Sequence, residues 1–204
     1  LSEEAATLLS DFANAVLGRR FDGPIHTRVE QAWRLTGGQS EVVRRALVLV
    51  SDHELNASSF AVRVAASTGA SLPAAALAGL AALSGPRHGE ASEAAAQFLA
   101  EAVAADAPDS VIAAQLARDR RLPGLGHPLY PEGDVRAQCL LGALRRSQQA
   151  QAAIDACERV SGQHANIDLA LGALIVAFDL PPSAAFSLFA IGRMPGWLAH
   201  AIEQ

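Results

Sequence analysis

Cysteine, aromatic rings and long apolar runs are all scarce in this chain, and each scarcity removes a class of protein. Only two cysteines occur, Cys139 and Cys157, with no CxxC pair and no metal-ligand spacing. A disulfide framework and a zinc ribbon are therefore excluded, and both thiols are expected to be core fillers in a reducing compartment. Aromatic residues make up 5% of the sequence although 50% of it is hydrophobic. The core must then be built from Ala, Leu and Val, which suits closely packed helices. No apolar run reaches the roughly 18 residues needed to cross a bilayer. The opening LSEEAATLL also lacks the basic and apolar regions of a signal peptide, so a soluble, cytoplasmic protein is expected. Positive charge is scarce too: 16 Lys and Arg stand against 21 Asp and Glu, for a net charge of -5, and they are scattered. That pattern argues against nucleic acid and membrane surfaces as partners, so any anionic ligand must be held by a local site. The chain starts at Leu1 rather than Met, from which a longer gene product is expected.

Strand alternation, hairpin signals and internal repeats are absent as well, and what remains is helical periodicity. Ser2, with Glu3 and Glu4 behind it, starts a helix that ends before Gly23. Pro24 opens a short helix through Val29 and Trp33. Ser40 and Glu41 open a long one running to Gly69, which places His53 in mid-helix. The unit SLPAAALAGLAALSG follows, and Pro86 then opens another helix, with His88 in its first turn. A helix from Ser110 to about Asp119 leads into LPGLGHPLYPEGD, which is rich in Gly and Pro and must be an irregular loop; it contains His127. A helix from Val135 to about Ser161 is expected next. Asn166 then caps IDLALGALIVAF, with Asp168 in the first turn, and PPSAAFSLFAIGRMPGWLAHAIEQ forms a closing helical pair. The expected fold class is all-α.

The polar residues admit plain and chemical readings. His53 and Glu54 suggest a zinc helix, but Ala57 stands where the second histidine of HExxH would be, so that motif is absent. At a helix start, the backbone dipole keeps the His88 ring neutral, fit either to cap its own helix or to donate to a developing oxyanion. His127 precedes Pro128, which holds its backbone extended so that the ring can be aimed into a cleft. The preceding Gly-Leu-Gly lacks the third glycine and the strand of a dinucleotide loop. Asp168 either complements its helix dipole or acts as a base. Arg136 and Arg193 are either surface residues or forks for a substrate's carboxylates.

Order and context narrow these alternatives. The blocks SDHELNASSFAVRVAASTGA, AGLAALSGPRHGEASEA, LPGLGHPLYPEGDVRA, NIDLALGAL and LFAIGRMPGWLAHAIEQ resemble, in sequence, the citrate synthase family from about residue 40 to residue 204. The resemblance implies an all-α fold with a large helical domain, incomplete here, over 1–88 and 178–204. A small domain over 89–177 would close over the substrates and exclude water. It implies an acyltransferase that condenses acetyl-CoA with oxaloacetate to give citrate and CoA. The variants to weigh are a 2-methylcitrate synthase using propionyl-CoA and a non-catalytic ligand-binding paralogue. It assigns catalysis to His88, which would bind the thioester oxygen, His127, which would polarise the keto carbonyl, and Asp168, which would remove the α-proton. It assigns substrate binding to His53, Arg136 and Arg193. No metal and no cofactor beyond the coenzyme A thioester are implied, and a homodimer is. Departures from the family pattern lie at Arg87, Glu90 and Ser92 around His88, at Pro128, Pro131 and Val135 after His127, and at Ala165 before Asp168.

Overall fold

The computed structural model describes residues 2–105 and 107–204, and the side chain of Ser2, the expected first cap, lies outside what it describes. Among the described residues the structure is all-α, with eleven helices and no named strand. No helix there is long and apolar enough to cross a membrane. The chain divides into two compact units, Leu1–Glu90 with Ser187–Gln204, and Ala91–Phe186.

The first unit contains α1 (Ser2–Val16), α2 (Ile25–Trp33), α3 (Gln39–Val50), α4 (Ala57–Ser67), α5 (Leu72–Leu83) and most of the last helix, α11 (Ser183–Glu203). Small residues let these helices approach closely. A Cβ added at Gly79 of α5 would lie 2.6 Å from Val62 of α4 and 2.9 Å from the Trp197 ring of α11. Added at Gly192 or Gly196 of α11, it would collide with Val50 or with the Ser51 carbonyl. These glycines serve packing rather than turns, and α11 runs on through Pro195. The expected closing helical pair is thus one helix: Pro195 reads as a breaker in sequence, yet packing against α3 holds the segment helical.

Two further expectations about continuity are corrected. The helix predicted from Ser40 to Gly69 is two helices, because Asn56 turns its side-chain oxygen onto the Ser58 and Ser59 amides and starts α4 afresh. Glu54, with φ 49°, takes the left-handed conformation two residues before that cap, out of line with a continuous helix. His53 consequently lies in a connection and not in mid-helix. The helix predicted from Val135 to Ser161 likewise breaks into α8 (Val135–Ala143) and α9 (Gln148–Ser161), with Ser147 capping the second through the Ala150 amide.

The second unit also holds all but the first residue of α6 (Glu90–Ala104), with α7 (Pro108–Asp119) and α10 (Ile167–Ala177). Phe98, Ile112, Leu122, Ala156 and the buried Cys157 form one apolar cluster. Cys139, expected in the core, is exposed, since the face of α8 that packs carries Ala137 and Leu140 instead. The mostly buried α10 passes so close to α6 that a Cβ at Gly172 would sit 2.9 Å from the Ala96 backbone nitrogen.

Candidate functional site

Within the second unit, two segments far apart in sequence are laced together. Leu125 and Ala165 form an antiparallel bridge, flanked by Gly126 N–H donating to the His164 carbonyl at 2.8 Å and Asn166 N–H donating to the Gly124 carbonyl at 2.9 Å. The close approach demands small residues: a Cβ at Gly124, whose φ is +73°, would lie 2.7 Å from Leu169. Asn166 then does two jobs. Its Oδ1 accepts from the Asp168 and Leu169 amides, capping α10, while its Nδ2 donates to the Gly126 carbonyl at 2.8 Å. His127 follows Gly126, and Asp168 lies two residues after Asn166. One amide side chain therefore sets the backbone beside both candidate residues.

The protonation of His127 follows from its neighbours. The Leu129 amide donates to Nδ1 at 3.2 Å, so Nδ1 carries a lone pair and the ring proton of the neutral form sits on Nε2. Burial lowers its pKa below the ordinary 6.5, and the Arg136 charge lowers it further, with Asp134 opposing. Arg136 is itself buried and its fork grips Asp134, with Nε donating to Oδ1 at 2.9 Å and Nη2 to Oδ2 at 2.8 Å. It stacks 5.3 Å from the Tyr130 ring centre. Burial works against the Asp134 carboxylate, but the bonds and charge of Arg136 and the Ile167 amide prevail and hold its pKa below the usual range. The Nη1 group of Arg136 takes no part in that pair.

His88 belongs to the first unit and lies in a turn before α6, not in its first helical turn as expected. Its amide bonds back to Gly85 O at 2.9 Å, and the next amide reaches Leu83 O. Its pKa is nonetheless held at about 4, through burial first and the nearby Arg193 charge second. The ring is neutral at pH 7 for that reason rather than through a helix dipole. Nε2 lies 2.8 Å from the Ser58 hydroxyl, which is 2.8 Å from Asn56 Oδ1 and also accepts from Trp197 Nε1–H at 3.1 Å. Ser58 has one proton and two takers. Given to Asn56, it leaves the His88 proton on Nε2; given to His88, it puts that proton on Nδ1, free for another acceptor. Arg193 is buried in α11, where its Nε donates to Val50 O at 2.5 Å and its guanidinium lies 5.1 Å from the Phe189 ring centre.

His127, Asp168 and Arg136 are thus gathered in one unit and His53, His88 and Arg193 in the other. Sequence reading missed Ser58, although its place two residues after a capping Asn56 was a signal. It also missed Asp134, which carries the ordinary cap signature of an aspartate just before a helix. Among the described residues no group of three or more His, Cys, Asp or Glu side chains is placed to hold a metal ion.

The family model for citrate synthase, C-terminal domain, matches residues 17–204. The chain belongs to the citrate synthase family. Citrate synthase 2 of Bacillus subtilis (strain 168) is 32% identical over 174 residues, covering 80% of this chain and 47% of that protein. This chain therefore spans about half the length of that relative. The structure of the citrate synthase of Thermoplasma acidophilum, in a ternary complex with carboxymethyl coenzyme A and oxaloacetate, superposes with TM-score 0.80 at 25% identity, covering 98% of this chain and 61% of that one. A citryl-CoA lyase from Hydrogenobacter thermophilus superposes with TM-score 0.79 at 26% identity, covering 92% and 80%. The all-α fold is that of the citrate synthases among these structures.

Proposed function

We propose that this protein condenses acetyl-CoA with oxaloacetate and hydrolyses the product to citrate and free CoA. The observation that carries the reading is the lacing of the His127 segment to the first turn of α10, which binds two residues 41 positions apart in sequence to one backbone frame. In this reading Asp168 takes a proton from the thioester methyl. A thioester α-proton is weakly acidic, so a base alone is insufficient and a donor must share the developing charge. His88 is that donor: neutral, with Ser58 turning its proton toward Nε2, it offers Nδ1–H to the thioester oxygen. The enol carbon attacks the keto carbon, whose oxygen takes the proton of His127 Nε2. Water then cleaves the citryl thioester and releases the thiol. His53, Arg136 and Arg193 hold the keto acid and its carboxylates. The large-domain and small-domain division at 1–88 with 178–204 and 89–177, the homodimer and the choice of acetyl over propionyl belong to the same proposal. Exposed Phe60 and Val64 on α4 and Leu77 on α5 support a covered face.

A second reading has a specific support. The likeness to the citryl-CoA lyase covers 80% of that chain, a larger share than for the citrate synthases above. The same three groups, run in reverse, would cleave citryl-CoA to acetyl-CoA and oxaloacetate. One experiment separates the readings: offer the full-length protein oxaloacetate with acetyl-CoA or propionyl-CoA and follow free thiol, then offer citryl-CoA and follow oxaloacetate. Condensation predicts thiol release that is faster with acetyl-CoA and lost in a folded Asp168→Ala variant. Oxaloacetate from citryl-CoA without thiol release establishes the lyase. Oxaloacetate binding with neither reaction establishes a binding paralogue, and thiol release unaffected by Asp168→Ala removes Asp168 as the base.

A further inference from the structure

The connection that carries His53 is held from α11 at successive points. Arg193 Nε donates to the Val50 carbonyl, where α3 ends. Gly196 leaves room for the Ser51 carbonyl. His200, one turn further on, reaches Asp52 with Nε2 at 3.1 Å from Oδ1. The other ring nitrogen, Nδ1, faces Arg63 Nη1 of α4 at 3.3 Å, and that guanidinium also reaches Glu203 at 3.4 Å.

The proton inventory of this cluster is decided by Arg63. A guanidinium has only donors, so Nδ1 must be the acceptor, and the neutral His200 ring carries its proton on Nε2, aimed at Asp52. His200 is thereby oriented from one side by α4 and grips the connection on the other. It is only 14% exposed, whereas Asp52 is 53% exposed. The ring is the fixed part of the pair and the carboxylate the part that is held. Asp52 is the immediate neighbour of His53.

We propose that His200, oriented by Arg63, is a positioning residue that clasps Asp52 and so fixes His53 for the keto acid. The inference rests on the reading of His53 as a keto-acid ligand. His200 touches no substrate. Its effect falls on binding of the keto acid, because the thioester is engaged by other groups.

The test measures oxaloacetate affinity by calorimetry alongside KM and kcat, on the full-length protein. His200→Ala and Asp52→Ala each weaken oxaloacetate about tenfold, the scale on which a small misplacement of a binding group is felt, while kcat and the acetyl-CoA KM stay within about twofold. His200→Gln restores affinity, since its amide supplies both a donor for Asp52 and an acceptor for Arg63. Asp52→Asn, at an exposed position that does not endanger folding, keeps an acceptor and stays close to wild type. His53→Ala separates the two levels. If it leaves oxaloacetate affinity unchanged, the His53 reading fails and the clasp has nothing to position. If it abolishes binding while His200→Ala and Asp52→Ala do not weaken it, the clasp alone is overturned. A loss in His200→Ala that Gln does not repair, or an equal fall in kcat, also overturns it.

Discussion

Replacing Asn166 by Ala removes three bonds at once, and their separate sizes can be worked out. The cap to the Asp168 and Leu169 amides is worth about 1 kcal/mol, within a range of about 0.5–2. The Nδ2 bond to the Gly126 carbonyl adds about 1 kcal/mol, and the half-buried carbonyl left without it adds an orphan penalty of up to about 1 more. The expected loss is about 2–4 kcal/mol from the unit containing Ala91–Phe186. Asn166→Asp divides that total. A carboxylate caps a helix as well as an amide does and suits the dipole, but it presents an acceptor to the Gly126 carbonyl instead of a donor. Its cost should be confined to the cross-segment bond and a modest repulsion, about 1–2 kcal/mol. Both variants should lose turnover together, because each frees the backbone around His127 and Asp168. Urea unfolding followed by circular dichroism gives the stabilities, and thiol release gives the activity. An Ala variant that loses less than about 0.5 kcal/mol, or an Asn166→Asp variant as active as the parent, refutes this role of Asn166.

His88 binds fewer protons when folded than when unfolded between its folded pKa of about 4 and its ordinary 6.5, so its contribution to stability is complete above pH 6.5. That contribution is lost as the pH falls from 6.5 to about 4; a His88→Gln variant should show a flatter loss across that window in unfolding titrations. If α4 and α5 are covered by a second copy, Phe60→Glu with Leu77→Glu should convert a dimer to a monomer in sedimentation equilibrium, and a parent that sediments as a monomer refutes the homodimer.

Helix as the element type of the described residues was legible because Ala and Leu recur at helical spacing and nothing in the sequence alternates. Asn166 and Asp168 were placed at a helix start correctly, since an Asn before an apolar run caps through its own neighbours and needs no distant partner. His53 was misplaced because residues 41–67 keep an apolar period with no Gly or Pro between them. The break there depends on one Asn56 cap and a left-handed Glu54, signals that are weak against the periodicity. Pro195 misled in the opposite sense. Its ring argues for a break, yet α11 continues where packing outweighs the lost hydrogen bond.

By itself the amino-acid order determined the fold class, the family and which few polar residues merit chemical attention, because these depend on local propensity and on the succession of short motifs. Only tertiary packing decided the rest. It paired Gly124–Gly126 with His164–Asn166, set the tautomers of His127 and His200 through the donors beside them, and made burial with Arg193, not a helix terminus, the reason His88 stays neutral. A side chain's proton and orientation follow from the groups that surround it, and those come from segments up to 148 residues distant, as His200 and Asp52 show.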